Sequence, residues 1–184
     1  MRGSSNSFIQ KDLTGDLIDS RRYHEENSLT LMAELVHIAP IYYVTGNHEW
    51  RSGKFSSLER KLNHLGVRVM RNSAEEITIA TDKIQIIGID DPAHGNASYA
   101  ERAIAEEALS HSIKGLDKED FTILLSHRPE MFSLYSEYEF DLVFSGHAHG
   151  GQVRLPFVGG LIAPNQGFFP KYTSGKNSLE NTTM

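Results

Sequence analysis

No cysteine occurs in this 184-residue chain. That excludes a disulfide framework, a thiolate nucleophile and cysteine-ligated zinc, so any metal must be held by His, Asp, Glu or Asn. No apolar run approaches the roughly 18 residues that span a bilayer, and the first 11 residues lack the apolar centre of a signal peptide. The chain also has no block of five like charges, and 18 Lys and Arg against 24 Asp and Glu leave a formal net charge of -6. A general nucleic-acid binder needs a basic footprint, so no nucleic-acid partner is expected. A small phosphorylated substrate would instead be held by local cations. The chain shows no internal repeat and no low-complexity tract. Its length suits one domain with one core, burying about 70% of the surface that the unfolded chain exposes.

What is present alternates between strand and helix signals. Leu29, Met32, Ala33 and Val36 recur at helical spacing within residues 24–38, and Pro40 stops that helix before an apolar strand at 41–44. Phe55, Leu58, Leu62 and Leu65 predict a second helix, capped by Gly66, and a short strand follows at 67–70. Residues 77–80 and 83–89 read as a hairpin around Thr81-Asp82. Ser98 and Glu101 form a capping-box pattern opening a helix to about His111, whose weak apolar stripe predicts a surface position. Strands at 121–125 and 140–144 enclose a helix opened by Pro129. Residues 155–164 are apolar but broken by two prolines and two glycines, and read either as a core strand or as a loop at the rim of a site. Strands alternating with helices, plus a hairpin, indicate an α/β sandwich. The expected organisation is a leader or poorly ordered segment at 1–11, with Met1-Arg2-Gly3-Ser4-Ser5 resembling an expression-vector leader, a domain at 12–175 and a tail at 176–184.

The chain is organised around Asp141-Leu142-Val143-Phe144-Ser145-Gly146-His147-Ala148-His149-Gly150-Gly151, where an apolar strand stops and delivers two histidines bracketed by glycines. Two histidines one residue apart can turn toward one point if the backbone kinks between them, which the glycines permit. The same device, an apolar run followed by Ser or Thr and then a ligand type, recurs at Leu13-Thr14-Gly15-Asp16, at Val44-Thr45-Gly46-Asn47-His48 and at Leu125-Ser126-His127. Four strands aim their carboxyl ends at one place.

Gly15-Asp16, Gly46-Asn47-His48-Glu49, Ser126-His127 and Gly146-His147-Ala148-His149, in that order, resemble the calcineurin-like metallophosphoesterase superfamily, and the likeness runs from about Leu13 to Gly175. The fuller strings around them resemble a bacterial subgroup with membrane- or cell-wall-associated members, some of which cleave nucleotide-linked lipid precursors. The resemblance implies a layered αββα sandwich of mixed β-sheets flanked by helices. It implies a phosphodiesterase or pyrophosphatase with a binuclear centre of two divalent ions, Mn, Fe or Zn, which lower the pKa of bound water from about 15.7 toward 7 for in-line attack on phosphorus. Carried over residue by residue, Asp16 is the bridging ligand, Asn47, His127 and His147 bind one metal, His149 binds the other, and His48 stabilises charge on the phosphate or protonates the leaving oxygen. Partners so implied are a small phosphorylated or lipid-linked substrate and a peripheral membrane contact, in the cytoplasm or at the membrane or cell wall.

The family opens with an Asp-x-His motif before its Gly-Asp, and none precedes Asp16 here; relatives also continue beyond the equivalent of Gly175 into closing strands. Truncation at both ends is therefore expected, and the chain is expected to bind one metal or none. The alternative function is a non-catalytic or single-metal fragment that keeps the fold. Among other candidates, His24, His37, His64 and His111 read as ordinary helix residues. His94, near Asp90 and Asp91, is a loop residue or a ligand. Arg51, Arg128 and Arg154 hold a substrate phosphate or sit on the surface. Glu49 and Asp19 orient neighbours or cap a helix.

Overall fold

The computed structural model describes residues 10–94, 100–117, 119–157 and 159–184. A parallel sheet is formed by β1 (Lys11–Leu13), β2 (Ile41–Tyr43) and β3 (Arg68–Val69), in the order β1-β2-β3. Helices α1 (Glu25–Leu35), α2 (Asn47–Arg51) and α3 (Phe55–Leu65) occupy the connections. The hairpin of β4 (Ser73–Ile79) and β5 (Asp82–Gly88) opens a six-stranded mixed sheet. It continues through α4 (Glu101–Ser112), β6 (Phe121–Leu125), a 3₁₀ turn at Pro129–Met131, α5 (Phe132–Glu137) and β7 (Leu142–Phe144). After β7 come β8 (Val153–Leu155), β9 (Gly159–Ala163) and β10 (Gly167–Phe168), a separate antiparallel sheet, and then β11 (Ser178–Leu179) and β12 (Thr182–Thr183). The large sheet runs β11-β12-β7-β6-β5-β4.

Period-two alternation along the strands decides the layering. In β2, Ile41 and Tyr43 turn to one side and pack with Met32 of α1 and with Phe55, Leu58 and Leu62 of α3. Tyr42, between them, and Val44, just beyond, turn the other way and meet Met70 together with Ile86, Ile123 and Leu125 of the large sheet. In that sheet the intervening Ile87, Leu124 and Val143 face Ala105, Ala108 and Leu109 of α4 and Phe132 and Tyr135 of α5. The result is helices, sheet, sheet, helices, as expected for an αββα sandwich. Each fully buried Leu, Ile or Phe contributes roughly 1.5–3 kcal/mol, so the three clusters carry most of the stabilisation.

Several expectations change on this frame. Helix α4 is a core helix, because its small Ala105 and Ala108 allow close approach to the sheet although they add little to an apolar stripe. It begins at Glu101 after Ala100, with no side-chain cap, and Ser98 lies outside the described residues. Lys11, assigned to the leader, opens β1, and residues 1–9 lie outside the described residues. The segment 176–184, expected as a tail, supplies β11 and β12, and Thr183 pairs with Leu142 of β7. Within residues 155–164, Leu155 and residues 159–163 are neither core strand nor simple loop but part of β8 and β9 in the small sheet, with Leu155 and Phe157 exposed, while residue 158 lies outside the described residues. Among the described residues no helix is long and apolar enough to cross a membrane.

Candidate metal centre

The loops leaving β1 and β2 cross in near contact, which the two glycines make possible. A Cβ on Gly15 would collide with Gly46 N, and one on Gly46 would collide with Asp16 Oδ1. Gly15 also sits at φ +90°, a conformation that L side chains rarely adopt. The buried Glu49 carboxylate clamps the crossing: it accepts from Asp16 N (2.9 Å), Gly46 N (2.7 Å) and Ile18 N (3.2 Å). Burial raises its pKa, and the charge of Asp16 adds to this against the three N–H bonds. Glu49 thus orients the ligand loop, as its place in the sequence suggested.

Asp16 stands at φ 54° and accepts from His48 N at 3.0 Å through Oδ1. Its Oδ2 is buried without a hydrogen-bond donor, although His127 Nε2 lies 3.1 Å away off the donor direction. Burial would raise this carboxyl, but His127 and His48 outweigh it and hold the pKa at about 2. From the other sheet, His127 follows β6 and points its Nδ1 at Thr14 O, 2.5 Å away. His147 follows β7 at the centre of a tight turn, with φ 61° and Ala148 N donating to Gly146 O at 2.7 Å. Its Nδ1 lies 3.0 Å from His127 Nε2. Burial, then the charges of Arg128 and His127, lower its pKa to about 4, so the ring is neutral at pH 7. For His127 burial acts in the same direction, but Asp16 overrides it and the pKa rises.

One carboxylate oxygen and two imidazole nitrogens, of Asp16, His127 and His147, thus lie within 4.8 Å of one another. Asn47 joins them: its amide nitrogen donates to His147 Nδ1 (2.9 Å) while its oxygen accepts from His48 N (3.3 Å) and Arg51 Nη1 (3.0 Å). Turned over, the same amide offers its oxygen as a neutral ligand. The hydrogen bonds fix which ring nitrogens carry lone pairs. Thr14 O can only accept, so His127 carries a proton on Nδ1, and in its neutral form it presents Nε2 bare to Asp16 and His147. A buried, donor-free carboxylate oxygen beside two imidazole nitrogens suits a divalent cation, and this O and N donor set fits Mn, Fe and Zn alike.

The remaining predicted residues are placed differently. His149, at φ 53°, is exposed and stands outside the group of three. His48 Nδ1 accepts from Ser20 N at 3.0 Å, so a neutral ring keeps its proton on Nε2; the Asp19 carboxylate lies 3.4 Å from Nδ1. His94 hydrogen-bonds Asp91 O at 3.1 Å and packs on Trp50, away from the cluster. Asp90 binds Arg71, and Asp91 binds Arg128.

Arg128 is the largest departure from expectation. Its side chain is 1% exposed and pairs with Asp91 through Nε and through Nη2 (2.9 Å), with Glu101 and Glu130 at 3.5 and 3.4 Å. Two partners of the centre escaped the sequence reading. Asn165, in the turn between β9 and β10, meets His147 Nε2 at 3.2 Å, and Glu101 accepts from Asn165 Nδ2 at 3.2 Å. The sequence carries no local signal for Asn165; the structure places it at φ 56°, a left-handed conformation that Asn tolerates.

Among known proteins, residues 13–151 match the family model described as calcineurin-like phosphoesterase. The chain is 32% identical over 92% of its length to the uncharacterised metallophosphoesterase YkuE of Bacillus subtilis, covering 56% of that protein. It is 35% identical over 81% of its length to an uncharacterised metallophosphoesterase of Aquifex aeolicus, covering 53% of it. To the phosphodiesterase YaeI of Escherichia coli it is 27% identical over 81% of its length, covering 50% of that protein. The chain therefore spans about half the length of these relatives. The match over most of the chain, on a fold that brings its ligand-type residues together, shows that this chain belongs to the calcineurin-like phosphoesterase family.

Proposed function

We propose that the chain carries the centre of a metal-dependent phosphoester hydrolase of the phosphodiesterase or pyrophosphatase type. One observation carries the reading: the buried, donor-free Asp16 Oδ2 lies 3.1 Å from His127 Nε2, in a group with His147 whose ligand atoms are all within 4.8 Å of one another. Asp16, Asn47, His127 and His147 would hold one cation, and Asp16 with His149 would contribute to a second. When bound, such cations supply Lewis-acid activation of water and neutralise charge on the phosphoryl oxygens. His48, whose Nδ1 is held by Ser20 N, keeps a proton on Nε2 for the charge that develops on phosphate or for the leaving oxygen. The exposure of His149 supports a second reading, a single-metal fragment that retains the fold. The test is metal stoichiometry with Mn, Zn or Fe alongside hydrolysis of a chromogenic phosphodiester. Two equivalents with turnover support the hydrolase; one or none without turnover supports the fragment.

The small sheet favours a lipid-linked substrate and a peripheral membrane contact. Val153, Ile162 and Phe168 stand in cross-strand register on one face, and Phe157 and Phe169 are exposed nearby. Residues 142–179 hold Arg154, Lys171 and Lys176 and no Asp or Glu, in a chain whose net charge is -6. An apolar face set among cations fits an anionic lipid surface. In the active enzyme, Phe157→Ser and Ile162→Ser should lower hydrolysis of a lipid-linked pyrophosphate more than that of a soluble nucleotide diester. An equal loss on both substrates would remove the lipid reading.

A further inference from the structure

We infer that Asn165 is a positioning residue for His147, set in place by Glu101, and that it selects which nitrogen of His147 faces the cluster. The inference deepens the metal-centre reading and rests on it for the identity of the cation. The chain of reasoning begins at the carboxylate. Glu101 can only accept, so the Asn165 group 3.2 Å from Glu101 Oε2 must be the amide NH₂. The amide oxygen is then turned to His147 Nε2, 3.2 Å away, and an oxygen acceptor there requires the proton to sit on Nε2. His147 Nδ1 is left bare, and Nδ1 is the nitrogen that lies 3.0 Å from His127 Nε2, which is itself 3.1 Å from Asp16 Oδ2. A carboxylate on the first turn of α4 thus sets the tautomer of a histidine at the end of β7 through an amide in the β9–β10 turn.

Both ends of this relay are anchored. Arg128, itself held by Asp91, lies 3.5 Å from Glu101 Oε1, so the carboxylate is tied to the core beneath it. His147 is buried, so its ring direction is set by the groups packed around it, Asn165 among them. The parallel with His127 supports the assignment, since that ring is also held at its far nitrogen by an acceptor, Thr14 O. Partners that fix ligand rings typically change metal affinity by about 10 to 100-fold when removed. The β9–β10 turn becomes part of the metal site, although it is more than a dozen residues beyond His149 in the chain.

The experiment uses the whole chain, Zn²⁺ or Mn²⁺ as the probe, and two readouts. Asn165→Gly removes the side chain without imposing strain at φ 56°. It should weaken the Kd for the metal by about 10 to 100-fold while thermal unfolding of the metal-free protein stays unchanged. Long-range ¹⁵N–¹H spectra of the metal-free protein should show His147 as the Nε2–H tautomer, and mixed tautomers in the variant. Exchanging the pair, Glu101→Gln with Asn165→Asp, keeps a donor facing an acceptor at both contacts and should recover most of the affinity. An unchanged Kd in Asn165→Gly, or a Nδ1–H tautomer in the unsubstituted protein, overturns the inference while leaving the metal-centre reading intact. Failure of the unsubstituted protein to bind metal would overturn both.

Discussion

His127 Nε2 and His147 Nδ1 face each other across 3.0 Å, and the far nitrogen of each ring is held by an oxygen, Thr14 O for one and Asn165 Oδ1 for the other. Two bare nitrogens that close, with Asp16 Oδ2 beside them, repel unless something positive sits among them. A proton on His127 is one answer, favoured by the Asp16 charge. A divalent cation would serve all three donors at once.

His147→Ala and Asn47→Ala should each lose the metal bound at the shared centre, because no neighbouring side chain replaces either donor among the described residues. Elemental analysis after dialysis is the measurement. Full metal content in both variants would remove these residues from the ligand set.

In a longer form of the protein that includes a segment upstream of this chain and turns over a chromogenic phosphodiester, His48→Ala should keep the bound metal and lower hydrolysis by about 100-fold or more, as expected for loss of one acid or charge-stabilising group. Its backbone N–H, which serves Asp16, survives the substitution. Parallel loss of metal would show instead that the imidazole is a ligand.

Arg128→Met should destabilise the fold by roughly 3–5 kcal/mol, since it leaves the buried Asp91 carboxylate without its partner. Arg128→Lys should recover only part of this, because an ammonium cannot reproduce the paired guanidinium bonds. Urea denaturation gives the values. A loss below about 1 kcal/mol would place the pair with surface ion pairs.

Gly46→Ala should force apart the loops that carry Asp16 and Asn47, because the added Cβ would overlap Asp16 Oδ1 and the Asp16 backbone. Overpacking of this kind costs about 1–3 kcal/mol, and Tm should fall by roughly 2–4 °C for each. Calorimetry checks the first part. Metal titration of the folded variant checks the second, with weaker binding expected; unchanged Tm and affinity would mean that the crossing can relax freely.

The alternation of Ile41, Tyr42, Tyr43 and Val44 was legible as a strand, and it already contained the two faces that build separate cores. So did Phe55, Leu58 and Leu62 as the buried side of a helix closed by Gly66 at φ 91°. The ligand types were legible for a different reason: a cation restricts the choice to a few side chains, and strands that end together leave those types directly after apolar runs. Asp16, Asn47, His127 and His147 therefore stand out without any coordinates.

Contacts between distant elements have no such local mark. Glu101 and Asn165 meet across a separation of 64 residues, and nothing in the neighbourhood of either announces the other. Arg128 reads as a surface residue because burial of a guanidinium depends on acids supplied by other segments, here Asp91, Glu101 and Glu130. Helix α4 reads as peripheral because alanines that permit close packing add little amphipathic signal, and only the sheet beneath shows that they are needed. Local periodicity and donor chemistry are properties of neighbouring residues, so the chain carried the strands, helices and ligand types on its own. Which nitrogen of His147 faces the cluster, and which charges are buried behind it, depends on elements that meet only on folding, and the tertiary structure alone decides them.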